Sequence, residues 1–193
     1  MPSSLRILPL LVACLAAEAA PPAAEKAMLT TPLFDFSQDG PLWASIDDTV
    51  MGGRSSSRSY VQGGVAVFEG VLSLENGGGF CSVRSAPRPR DLHGHRGLRL
   101  RVRGDGKVYK LRLRTDARFD GVSWQNVFTA PELEEGEWVE IRLAFADFEP
   151  VYRGRKVRDA GRLDLSRITT FGLLISDEQV GAFRLEIAAL EAY

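Results

Sequence analysis

Residues 97–106 read Gly97-Leu98-Arg99-Leu100-Arg101-Val102-Arg103-Gly104-Asp105-Gly106, and this alternation of apolar and basic side chains decides the fold class. A strand places successive side chains on opposite faces, so Leu98, Leu100 and Val102 line one surface and Arg99, Arg101 and Arg103 the other. The period of two returns beyond the turn, where Leu111 and Leu113 alternate with Lys110, Arg112 and Arg114. Gly104-Asp105-Gly106 between these runs predicts a hairpin, because Asp-Gly flanked by alternating apolar residues suits a turn with positive φ. Reading outward, strand composition recurs over residues 64–75, 80–85, 122–129, 137–143, 168–176 and 182–190, with a single helical turn over 163–167. Short strands punctuated by Gly- and Pro-containing turns predict an all-β sandwich or barrel.

The 193 residues suit one domain with an appendage. The formal charge is −1, from 24 Lys and Arg against 25 Asp and Glu. That balance argues against a nucleic-acid binder or a ligand for acidic membranes. Arg6, an apolar run over residues 7–17 and Ala17-Glu18-Ala19 together read as a secretory signal over residues 1–19, too short to span a bilayer. Pro21 and Pro22 mark residues 20–32 as a linker, leaving 33–193 as the domain. The expectation is an exported, periplasmic protein; Leu11-Val12-Ala13-Cys14 also looks like a lipobox, but plain cleavage is favoured over a lipid anchor. Glu18 does not suit a mitochondrial transit peptide. Either route leaves Cys81 without an internal disulfide partner.

Two motifs interrupt the strand pattern. The first, residues 43–53, places Trp43, the carboxylates Asp47 and Asp48, and Met51-Gly52-Gly53 in one segment; the second is Asn76-Gly77-Gly78-Gly79 before Phe80. Paired carboxylates can serve glycoside hydrolysis or hold a hard cation. Neighbours in an extended chain point to opposite faces, however, so a hydrogen-bonding role in a turn is preferred. The glycine pair reads as a bulge, a tight turn or a close backbone approach, and residues 76–79 as a hairpin connection.

Trp43 with Asp48-Thr49-Val50-Met51-Gly52-Gly53, Phe68-Glu69-Gly70, residues 73–80 and 97–106, Trp138, Phe145, Phe148-Glu149-Pro150, Arg153-Gly154-Arg155, residues 171–175 and 181–185 occur in one order. Over residues 33–190 the chain thereby resembles the complex I intermediate-associated protein 30 family. The resemblance implies a galactose-binding-domain-like jelly roll, a fold shared with many carbohydrate-binding modules. For mitochondrial members it implies a non-catalytic role as an assembly factor or chaperone of respiratory NADH:ubiquinone oxidoreductase. An exported chain would reach no more of such a complex than the outer surface of its membrane arm.

Charge is segregated along the chain. Residues 88–114 hold ten basic side chains against Asp91 and Asp105, and residues 132–149 hold seven acidic ones against Arg142. Pairing across strands would make a solvated, salt-bridged face. A sharper arrangement uses Arg112, Arg114 and Trp124 as a ligand floor of guanidinium forks beside an aromatic plane. His93 and His95 lack the partners of a zinc site, Cys81 reads as a small buried apolar residue, and no nucleophile or phosphate-loop signature occurs. The sequence therefore predicts a jelly-roll β-sandwich without catalytic residues, metal or cofactor. Its binding residues are Trp43, Asp47, Asp48, Met51, Gly52, Gly53, Asn76, Arg112, Arg114 and Trp124, and its partner is a protein, with membrane-complex subunits as candidates. An exported carbohydrate-binding module with a glycan ligand is the alternative, and a hydrolase using Asp47 or Asp48 ranks third.

Overall fold

The computed structural model describes residues 30–193; the signal and lipobox readings at 1–19, Cys14 and most of the 20–32 linker lie outside them. In chain order the strands are β1 (Thr31–Pro32), β2 (Gly40–Pro41), β3 (Ala44–Ser45), β4 (Ser56–Gln62), β5 (Val65–Leu72), β6 (Cys81–Arg84) and β7 (Gly97–Arg103). They continue as β8 (Val108–Arg114), β9 (Ser123–Thr129), β10 (Val139–Ala144), β11 (Glu149–Tyr152), β12 (Arg155–Lys156), β13 (Thr170–Ile175) and β14 (Gly181–Ala192). One sheet runs β10-β7-β14-β5-β4-β2 with β1 added to β14; the other runs β12-β11-β9-β8-β13-β6-β3. All strand pairings are antiparallel. The fold is thus an all-β jelly-roll sandwich.

The core lies between the sheets. Phe68, Leu72, Leu98, Leu100, Val102 and Leu185 of the first sheet are buried, as are Val83, Tyr109, Leu111, Leu113, Phe171 and Ile175 of the second. Each such side chain contributes about 1.5–3 kcal/mol relative to exposure. Cys81 joins this core with no exposed surface. Burial, followed by the charges of Asp47 and Asp48, pushes its thiol up to about 12. It is therefore a protonated packing group.

Two turns differ from the sequence expectation. Residues 104–107 do not close a hairpin: β7 pairs with β10 and β14, whereas β8 pairs with β9 and β13. Contacts within the turn, and longer-range ones to Arg184 and Pro131, carry the chain across the sandwich. The Asp105 carboxylate accepts from Lys107 N (3.1 Å), Tyr109 Oη (3.0 Å) and Arg184 N (2.9 Å), and Gly104 N donates to Pro131 O at 2.8 Å. Residues 76–79 likewise connect β5 of one sheet to β6 of the other. The tight two-residue hairpin is Gly63-Gly64 between β4 and β5, with φ of +58° and +80°. β4 escapes the sequence pattern because Ser56-Ser57-Arg58-Ser59 lacks the β-branched and apolar residues that mark a strand.

The solvent face of the first sheet is a lattice of ion pairs set by register. Arg58 lies opposite Glu69 and Glu69 opposite Arg184, while Glu186 faces Arg103 and Glu191 faces Arg99. Each of these opposed pairs forms a salt bridge. Of the basic block 88–114, Arg99 and Arg103 are thus paired by glutamates of β14, whereas Glu69 of β5 serves Arg58 and Arg184 outside it. From the acidic segment 132–149, Glu140 reaches Arg99 at 3.4 Å.

Candidate functional site

Residues 46–57 wrap one end of the sandwich, and two carboxylates hold them there. Asp47 accepts from Ser57 N (2.7 Å) and Ser57 Oγ (2.7 Å) on β4, and from Ser82 N (3.0 Å) on β6. Since β4 and β6 belong to different sheets, Asp47 ties the sandwich together at this end. Asp48 accepts from Ser55 N (2.9 Å), Gly79 N (2.7 Å), Phe80 N (3.2 Å) and Ser55 Oγ. Ser55 Oγ in turn accepts from Ser73 N at 3.0 Å. The two carboxylates share no donor, and both are buried. With their oxygens committed to fixed backbone donors, they organise the chain and are not free for acid–base work.

This arrangement explains the glycines. A Cβ on Gly53 would stand 2.3 Å from Asp48 Oδ1, and one on Gly78 would stand 2.6 Å from Asp48 Oδ2 and 2.8 Å from Ser73 O. The carboxylate fills the space that a side chain would need. Gly52, by contrast, has φ +92° and open surroundings, and it closes the 3-10 turn Asp48–Met51 with its N–H on Thr49 O at 3.1 Å. Asn76, at φ +56°, donates from Nδ2 to Gly52 O at 3.3 Å and so joins the second motif to the first. Arg54 and Glu75 pair beside them at 3.2 Å.

The result is a fixed tip with an apolar end. Val50 is 65% and Met51 67% exposed, with Leu74 of the adjoining turn at 44%. Trp43 is buried in the core beside Phe36, Ala66, Leu173 and Leu190, its ring edge-on to Phe34 at 5.1 Å. Asp47, Asp48, Met51, Gly52, Gly53 and Asn76 are thus brought together, whereas Trp43 packs in the core among other residues.

Burial acts to raise the Asp48 carboxyl, but hydrogen bonds from Ser55, Gly79 and Phe80 outweigh it and hold the group below its ordinary value. In Glu69 and Glu186 burial is likewise overcome, by Arg58 with Arg184 and by Arg103 with Arg184 respectively. Carboxyls depressed in the folded state stabilise it above their unfolded values of about 4 and lose that contribution as pH falls through the folded values. Thermal melts should therefore be nearly flat from pH 7 to about 5 and fall steadily below about pH 4. A midpoint unchanged at pH 3 would contradict this.

The Arg112, Arg114 and Trp124 floor is not formed. Arg112 lies opposite Gln125 and Leu113 opposite Trp124, so the two arginines point outward while Trp124 is buried on the inward face with Leu113. A one-residue offset along β9 decides this, because neighbours on a strand face opposite ways. Sequence reading also missed Ser55 and Ser57, the partners of the carboxylates, and Val50 and Leu74, the exposed side chains. Ser55-Ser56-Ser57 carries no spacing signal, since its acceptors are fixed by tertiary contact. His93 is exposed, and His95 Nε2 meets Thr31 Oγ1 at 3.1 Å. Among the described residues no group of three or more His, Cys, Asp or Glu side chains is placed to hold a metal ion.

The family described as Complex I intermediate-associated protein 30 matches residues 33–187. The chain belongs to this family. An uncharacterized protein of Schizosaccharomyces pombe is 29% identical over 168 residues, covering 77% of this chain and 76% of its own length. The mitochondrial Complex I intermediate-associated protein 30 of Mus musculus is 31% identical over 173 residues, covering 80% of this chain and 52% of its own. The chain therefore spans about half the length of the mouse relative. Among solved structures, a family 11 carbohydrate-binding module of Clostridium thermocellum superposes with a TM-score of 0.62 at 14% identity, covering 84% of this chain and 94% of the module. At that identity it shows the fold.

These relatives correct the expectation of periplasmic export. The relatives from mouse, Caenorhabditis and Drosophila are named as mitochondrial, which points away from a bacterial periplasm. An apolar run with one flanking Arg records hydrophobicity, whereas the compartment depends on the receptor that reads the signal.

Proposed function

We propose that the chain is a non-catalytic docking module that binds protein subunits during assembly of respiratory complex I, and that the contact is made by the tip at residues 47–53 and 74–79. The observation that carries this reading is the rigid presentation of Val50, Met51 and Leu74. A buried carboxylate with four donors and glycines that admit no Cβ fix a backbone whose end offers apolar side chains to water. Exposed apolar side chains on a fixed backbone suit a desolvated protein contact, because little conformational freedom is lost on binding. The names of the mouse and nematode relatives supply the partner class.

A sugar-stacking surface has less support. Trp43 and Trp124 are buried, and Tyr60, Phe119, Trp138 and Tyr152 each carry an arginine over one ring face.

Val50→Asp with Met51→Asp should leave folding unchanged, since both side chains are exposed, and reduce capture of complex I subunits at least tenfold, an anchor loss of about 1.4 kcal/mol or more. The check is affinity capture from solubilised mitochondrial membranes with mass-spectrometric identification of complex I subunits. Full capture by the folded double variant, or an absence of those subunits from the wild-type eluate, would remove the proposal.

A further inference from the structure

The outward face of the second sheet carries an arrangement that the docking tip does not use. Arg84 on β6 and Arg112 on β8 both lie opposite Gly172 of β13, one on each side. Adjacent strands are about 4.8 Å apart, so the two arginines stand on backbones about 10 Å apart with no side chain between them. A Cβ at Gly172 would stand 2.8 Å from Val83 O, which keeps this position a glycine. Arg114, two residues along β8 on the same face and opposite Thr170, completes a three-sided slot.

Among the described residues, the hydrogen bonds of the three guanidiniums go to neutral oxygens. Arg84 Nη1 donates to Phe119 O at 2.8 Å, Arg112 to Gln125 Oε1 at 3.3 and 3.1 Å, and Arg114 Nη1 to Gly121 O at 3.1 Å. The nearby carboxylates are committed elsewhere. Asp120 accepts from Arg153 and Tyr152, Asp177 pairs with Lys110 at 2.7 Å, and Asp116 pairs with Arg118 at 3.2 Å. This contrasts with the first sheet, where the arginines of the solvent lattice sit against glutamates. Arg114 is 8% exposed. Burial, then the charge of Arg114, pushes Arg84 down to about 10 against a weaker opposing effect of Asp120, and burial with Arg114 and Arg84 does the same to Arg112 against Asp177. Phe119, 69% exposed, lies over the Arg84 guanidinium at 5.5 Å and stands beside the slot.

We infer that this slot binds a phosphate-bearing ligand, with Gly172 as the floor and Arg84, Arg112 and Arg114 as the donors. Among the described residues none of the three cations is in an ion pair; Asp116, Asp120 and Asp177 act on them only at longer range while bonded to other partners. Crowding them therefore raises the energy of the empty face, and a dianion offsets that cost. A phosphate monoester carries about −1.5 to −2 charges at neutral pH and presents three acceptor oxygens to forks arriving from different sides. A carboxylate has one charge and two coplanar oxygens, which match a single fork. The phosphate can come from a soluble ester or from a lipid headgroup.

The test uses the full chain with inorganic phosphate, pyrophosphate and acetate at matched ionic strength, followed by calorimetry and thermal melting. Pyrophosphate should bind saturably and raise the melting temperature, with acetate at least tenfold weaker. Arg112→Gln and Arg84→Gln should each weaken pyrophosphate binding at least tenfold, and both should melt no lower than wild type without ligand, because like-charge repulsion is relieved. Arg54→Gln, at the tip, should bind as wild type. Vesicles containing phosphatidate, compared with phosphatidylcholine alone, separate the sources. Arg112-dependent binding to them, competed by pyrophosphate, assigns a lipid headgroup, and pyrophosphate binding without vesicle binding assigns a soluble ester. A shift equal to that of chloride at the same ionic strength, equal affinity for acetate, or undiminished binding by both folded Gln variants would overturn the inference.

Discussion

Asp48→Ala should lower the stability of the folded chain by about 3–5 kcal/mol, the range expected when one partner of a buried, charge-assisted network is removed. The substitution strands Ser55 N, Gly79 N and Phe80 N around an emptied space, while the Ser55 hydroxyl keeps Ser73 O as an acceptor at 3.1 Å. Each unsatisfied buried donor costs about 1–3 kcal/mol, less where water enters. For a domain of this size the loss corresponds to a fall in Tm of about 6–20 °C. Asp48→Asn keeps the volume but turns an amide N–H₂ toward donors that need an acceptor, so it should still cost about 2 kcal/mol. Urea unfolding checks both variants. An Ala variant within about 1 kcal/mol of wild type would mean that Asp48 does not hold the tip.

Gly53→Ala should cost about 3 kcal/mol, at the upper end of what overpacking a buried site costs. The reason is steric, since the new methyl would stand 2.3 Å from Asp48 Oδ1 and 2.5 Å from its Cγ. Gly52→Ala is the informative comparison. It meets nothing within 4 Å but must hold φ at +92°, so its cost is backbone strain of about 1 kcal/mol. Adjacent glycines should therefore differ about threefold in cost for different reasons. In an Asp48→Ala background the two atoms nearest the new methyl are gone, although Asp48 Cβ at 2.9 Å remains. Gly53→Ala should then cost less than it does alone, by at least about 1 kcal/mol, which a double-mutant cycle reads directly. Additive costs would show that the carboxylate is not what excludes a side chain at this position.

Residues 43–53 and 76–79 stand out in the sequence as motifs, but their purpose does not. Asp48 and its donors Gly79 and Phe80 lie on different strand connections, and they meet because β5 and β6 cross between sheets next to the 3-10 turn. Gly53 and Gly78 are required by a carboxylate on another part of the chain, which local conformational preference cannot reveal. Trp124 shows the same limit from the other side. Its composition suggested an exposed stacking plane, and the pairing of Leu113 with Trp124 placed it in the core.

What the sequence determined by itself is the class of the fold and the two-faced character of its strands, because a period of two is a local property of the pleated backbone. Leu98, Leu100 and Val102 had to share a face wherever the strand was placed. Its partners were decided by tertiary structure. Asp105 turned the chain to the opposite sheet through contacts with Tyr109 and Arg184. Arg99 and Arg103 found glutamates on β14, while Arg84 and Arg112 were set on either side of Gly172. Strand register depends on packing between residues far apart in the chain, and that packing separated a face of ion pairs from a slot of arginines bonded to neutral oxygens.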